Sequence, residues 1–172
     1  MWVARVDEGW LFGDLSPRTA EILKGIPMLL ESADPRVRAR LLPETLDDAA
    51  HEADWRAHAV PELERLFASR ATLVGRDLAA MRPMKSGGKS LLLVTNQHAS
   101  AWLAALNAAR LALYALNDLT AAHMEMETGE PATPQQRQAI ASIHLLAEMQ
   151  SVLLGDEALE SCGPMADLDL EL

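Results

Sequence analysis

A chain of 172 residues is the size of one domain and can bury a core without disulfide or metal staples. Hydrophobic residues make up 49% of it but aromatics only 4%, so leucine, alanine and methionine fill that core, a composition that favours helices over sheets. The net charge of -10 sits in one part of the chain: residues 1 to 110 carry 14 basic and 14 acidic side chains, residues 111 to 172 carry 1 and 11, which argues against a nucleic-acid partner.

Trp2 to Val6 alternates apolar and polar residues, Asp7-Glu8-Gly9 supplies a turn, and Trp10 to Phe12 resumes the apolar run, predicting an N-terminal hairpin. Ser16 as N-cap and Pro17 at the first helical position open a helix that sends Ala20, Ile22, Leu23, Ile26, Met28, Leu29 and Leu30 to the core. Gly25 and Pro27 bend or shorten it. Asp34-Pro35 repeats the start signal for a short helix that Pro43 stops. From Asp47 a long helical pattern follows. Pro61 lacks the N–H for its turn and clashes with the turn before it, so two helices or a kink near Val60 are expected. Beyond it Leu63, Leu66, Phe67, Val74, Leu78 and Met81 form a buried stripe. Ser86-Gly87-Gly88 reads as a flexible loop and Leu91 to Thr95 as a third strand on the hairpin.

The stretch Asn96 to Thr120 organises the rest. Its helix, about 97-120 and capped by Thr95 or Asn96, puts Trp102, Leu106, Ala109, Leu113 and Leu116 on one face. Ala104, Ala108, Leu111, Ala112 and Leu119 fill most of the remainder. One sector is polar, with Asn107, Arg110, Tyr114, Asn117 and Asp118. The fold expected is therefore α+β, mostly helical: a compact single-domain helical bundle around this central helix, with a small antiparallel sheet. After a loop from His123 to Ala132, Thr133-Pro134-Gln135-Gln136 matches a capping box and opens the last helix. Ala139, Ile140, Ile143, Leu146, Ala147, Leu153 and Leu154 share one face of it, and Gly155 ends it. Residues 1-155 make the domain and 156-172 an acidic, partly disordered tail, whose alternating Leu168, Leu170 and Leu172 suit a strand added to a partner's sheet edge. The single cysteine, Cys162, excludes an intrachain disulfide and fits a reducing cytosol. With no export signal and no apolar window of about 18 residues read as a span, the expected location is cytoplasmic, with no membrane.

Gly88-Lys89-Ser90 looks like the end of a phosphate-binding loop. That motif needs glycine where Pro83 stands and a helix start where Leu91 to Thr95 is extended, so a plain loop is the better reading. Asp47, His51, Asp54 and His58 recur at helical spacing with Glu52 beside them, the residue types of a divalent-metal site. A metal-dependent hydrolase using His51 and His58 is the alternative function; a solvated acidic face is the plainer one. No serine or cysteine lies in a nucleophile turn, so no catalytic residue is assigned and no cofactor is expected. Arg110, on a helix apolar nearly all round, needs a carboxylate or carbonyl partner. Asn107, Arg110, Tyr114 and Asn117 are expected to lock the helix to the acidic turn at Asp47 and Asp48, or else to line an anion pocket.

Arg40-Leu41-Leu42-Pro43, then Asp47-Asp48, Glu52, Trp55 and Arg56, together with Trp102-Leu103, Leu106-Asn107 and Arg110-Leu111, resemble an uncharacterised bacterial family. That domain-of-unknown-function family is best represented in actinobacteria and often encoded beside the adaptor of the Clp protease. The resemblance covers most of residues 2 to 159 and implies a compact, mostly helical domain with no established enzyme activity and a regulatory or adaptor role. Tyr114, where the family tends to have glycine, and the Gly87-Gly88 loop depart from the pattern. The function expected is a non-enzymatic regulator or adaptor that binds another protein, with a homodimer compatible.

Overall fold

The computed structural model describes residues 1–85, 87–125 and 131–155. Strands β1 (Trp2–Val6) and β2 (Gly9–Leu15) form the expected hairpin, turning at Asp7 and Glu8. β3 (Arg82–Pro83) and β4 (Ser90–Thr95) complete an antiparallel sheet in the order β1-β2-β4-β3. β4 is the third strand read from the sequence. The two-residue β3 carried no alternation to reveal it, and its Pro83, with no N–H to give a ladder, suits a sheet edge. A bulge at Asp14, whose φ is 61°, shifts the register between Phe12 and Leu15 and lets both point inward, each fully buried. Between β3 and β4, Gly87 and Gly88 take φ of 71° and 70°, and the Met84 amide donates to the Lys89 carbonyl at 2.8 Å. Gly88-Lys89-Ser90 therefore leads into a strand, as its flanks implied.

Helix α1 (Pro17–Lys24) starts on Ser16, whose hydroxyl accepts from the Thr19 amide at 3.1 Å, and Gly25 separates it from α2 (Ile26–Leu30). α3 (Pro35–Leu41) starts on Asp34 and α4 (Ala49–Ala79) on Asp48, each carboxylate accepting backbone amides of the first turn. Of the two outcomes expected at Pro61, separate helices are ruled out: α4 runs through it as one helix of 31 residues. The carbonyl that Pro61 leaves without a donor belongs to Ala57, which is exposed, so water can take the place of the lost bond. Leu66 and Met28, expected in the core, are instead 47% and 74% exposed, and Leu154, expected on the apolar face of the last helix, is 68% exposed.

α5 (Ala99–Leu116) is the central helix, shorter than read and capped differently. His98 is its N-cap, because Asn96 is engaged elsewhere: it donates to the Asp7 carbonyl at 2.9 Å and accepts from Arg5 at 2.7 Å, holding the hairpin turn. A further helix, α6 (Ala121–Met124), occupies the start of the segment read as a loop, with Thr120 and His123 closing a capping box. α7 (Pro134–Leu154) begins with the predicted Thr133–Gln136 box and ends at Gly155 with φ 87°.

α5 packs against α2, α3, α4, α7 and β4. Of its residues only Ser100 and Asn107 are exposed, and Trp102, Ala105, Leu106, Ala109 and Ala112 are fully buried. By length and composition, at a mean hydropathy of 1.2, it is also long and apolar enough to cross a membrane, which corrects the reading that no window qualifies. In this fold that apolar surface is packed against the neighbouring helices. Trp102, Phe12, Leu23, Leu92, Leu106, Val74 and Met149 form one cluster joining sheet and helices. Burying each large side chain contributes roughly 1.5–3 kcal/mol. Leu119, Ala139 and Ile143 make a smaller one beneath α6.

Candidate functional site

The polar sector of α5 does not form one network. Arg110 Nη1 donates to Gln150 Oε1 on α7 at 2.6 Å, and Gln150 Nε2 donates to the Leu103 carbonyl at 3.1 Å. The lock thus joins α5 to α7, and Asp47 and Asp48 take no part in it. Arg110 Nε is buried with no partner among the described residues. Tyr114 lies under the Arg40 guanidinium of α3 at 5.2 Å, Asn117 donates to the Leu113 carbonyl at 2.8 Å, and Asn107 is exposed. Among the described residues these groups share no common partner.

The charged cluster that does sit inside the fold is Asp77 of α4 with His98 and Trp102. The Asp77 carboxylate lies 2.9 Å from His98 Nδ1 and accepts from Trp102 Nε1 at 2.8 Å. Its side chain is 12% exposed. Two signals for it stood in the sequence: an acid on the apolar stripe of α4, and a histidine four residues ahead of a tryptophan, hence on the same side of the helix. The cluster ties the end of α4 to the start of α5.

Of the proposed metal face, Asp47 precedes the helix, and His51, Asp54 and His58 are exposed. His51 Nδ1 lies 3.4 Å from Asp48. Among the described residues no three histidine, cysteine or acidic side chains gather as a metal site.

Of the residues that carry the family resemblance, Leu42, Pro43 and Arg56 line a groove between α3 and the first half of α4. Its volume is about 600 Å3, and Pro35, Ala39, Leu42, Pro43 and Val60 line it with Arg38, Glu44 and Arg56. A second hollow of about 280 Å3, reaching Phe67 and Ala68, shares Arg38 and Leu42. Glu52 builds the first groove. Its Oε2 accepts the amides of Thr45 and Leu46, both at 3.1 Å, and Arg56 Nε lies 2.8 Å from Oε1. The bond from Thr45 is the main cause that holds the Glu52 carboxyl below the usual glutamate value, with Leu46 and Arg56 adding to it against burial. The loop from Leu42 to Asp48 is thereby clipped to α4. Arg38 pairs with Glu64 across the junction of the two hollows, and Arg56 lies 3.9 Å from the exposed Glu44. Along α4 the buried residues are Ala71, Val74 and Leu78, so about 20 residues, or roughly 30 Å, precede its core contact. Trp55, Leu46 and Leu66 are exposed on that stretch and its rim.

An α+β, mostly helical domain with an open groove beside a long projecting helix is thus defined. The chain belongs to the family described as Domain of unknown function (DUF2017), whose profile covers residues 6–155. No curated protein and no solved structure matches it.

Proposed function

We propose that this is a cytoplasmic, non-enzymatic regulator or adaptor whose α3–α4 groove binds an amphipathic acidic segment of another protein. The observation that carries the reading is the groove itself: an apolar floor of Leu42, Pro43 and Val60 between two guanidiniums, on a loop that Glu52 holds in place. Apolar anchors in a groove supply affinity, and arginines on its walls select carboxylates. Arg56 is half exposed and its contact with Glu44 is long, so a partner's carboxylate can displace Glu44 at little cost.

The test is a nuclear magnetic resonance titration of the full chain with a synthetic amphipathic peptide of leucine and glutamate. Saturable shifts are expected at Leu42, Glu44, Arg56 and Val60, at least tenfold weaker with lysine in place of glutamate, and lost in Val60→Asp. Shifts spread over α7 or the sheet, or equal binding of the lysine peptide, would refute the groove.

A further inference from the structure

We infer that a second copy of this chain covers the outer face of the sheet. This goes beyond the groove and rests on different residues. Paired residues of neighbouring antiparallel strands share a face, and Phe12 and Leu92 face the helices. The opposite face therefore carries Ala4, Leu11 and Leu93 in one cross-strand row, with Trp2 lying over Gly13 on one side and Val6 on the other. None of these apolar side chains belongs to the core clusters of the described residues, and Leu93 is 41% exposed. A sheet face facing water ordinarily alternates to polar residues. This one does not.

The charges at its two ends say what covers it. At the hairpin turn stand Asp7 and Glu8, both exposed; at the other end stand Arg82, paired opposite Leu91, and Lys85, also exposed. The acidic turn lies between β1 and β2 and Arg82 on β3, so the two charges occupy diagonal corners of the sheet, and a two-fold axis in the plane of the interface, perpendicular to the line joining them, lays one sheet on its copy with the strands crossing. Each basic end then meets the partner's acidic end, twice, as an isologous contact requires. The face also lies in the charge-balanced part of the chain, residues 1 to 110, so the acidic excess does not oppose it directly. Four short strands span about 19 Å by 17 Å, which with a rim buries on the order of 1,000 Å2 in total, the lower end for a specific interface. The dimer is accordingly weak, with dissociation in the micromolar range.

Sedimentation equilibrium of the full chain tests this. Wild type is expected to pass, with rising concentration, from 18.7 kDa to twice that mass. Leu93→Asp is expected to stay monomeric with an unchanged circular dichroism spectrum. Glu8→Lys and Arg82→Glu, at exposed positions that leave folding intact, should each weaken the dimer about tenfold, and their combination should restore it. A wild type that stays monomeric at about 100 μM overturns the inference. So does a dimer that neither Leu93→Asp nor the charge reversals affect, since another face then forms it.

Discussion

Asp77 brings a carboxylate into the seam between α4 and α5, where Trp102 presents an indole N–H that is fully shielded from water. Removing the acceptor leaves that N–H unsatisfied, so Asp77→Ala should cost about 1–3 kcal/mol in urea unfolding. A loss under about 0.5 kcal/mol would mean that water reaches the indole. Arg110 gives the opposite lesson. It has one good bond, to Gln150, and a buried Nε with no partner among the described residues, so Arg110→Met removes an orphan along with a bond. The expected cost is about 1 kcal/mol, well short of the roughly 3–5 kcal/mol for breaking a buried ion pair. The sequence showed that Arg110 needed a partner, but the acidic turn at Asp47 and Asp48 expected to supply it takes no part. Gln150 lies 40 residues on, and a neutral amide leaves no charge pattern to follow.

Among the elements, α4 shows where sequence reasoning stops. Ser16, Asp34, Asp48, Thr133 and Gly155 each end or start a helix as local rules dictate, because capping involves only neighbouring residues. Whether the helix continues through Pro61 was not legible, because a proline's cost depends on whether its orphaned carbonyl meets water, a tertiary fact. Pro61→Ala supplies the missing N–H and should raise amide-exchange protection through the first half of α4; unchanged protection would show that solvent already compensates fully. The groove was legible only in pieces. Leu42, Pro43, Glu52 and Arg56 were marked by resemblance, whereas their convergence depends on Glu52 reaching back to the amides of Thr45 and Leu46. That clip is pH-dependent. The folded Glu52 pKa lies below the ordinary 4.5, so its stabilisation is complete above that value and is lost as pH falls through the folded pKa. Protection factors at Thr45 and Leu46 should drop on acidification in the wild type and be low and flat in Glu52→Gln. A wild-type drop retained in Glu52→Gln would assign the effect to another group.

For the molecule as a whole, α5 was found from the sequence because an apolar surface all round a helix has few explanations, and the structure surrounds it with four helices and a strand. The outer face of the sheet was not found, since strands this short hide which side the core takes until the helices are placed. The acidic tail with Leu168, Leu170, Leu172 and Cys162 lies outside the described residues, so the idea of a strand donated by it stays where the sequence left it. What the fold presents outward is a groove on one side and an apolar sheet face on another, and the function proposed is that the groove engages another protein. Photo-crosslinking in living cells reads that claim most directly, with a photoreactive residue placed at Val60 and, as control, at the exposed Arg137 of α7. The account predicts a discrete protein adduct from position 60 that Arg56→Glu abolishes and position 137 does not give; equal adducts from both positions, or none from position 60, would contradict it.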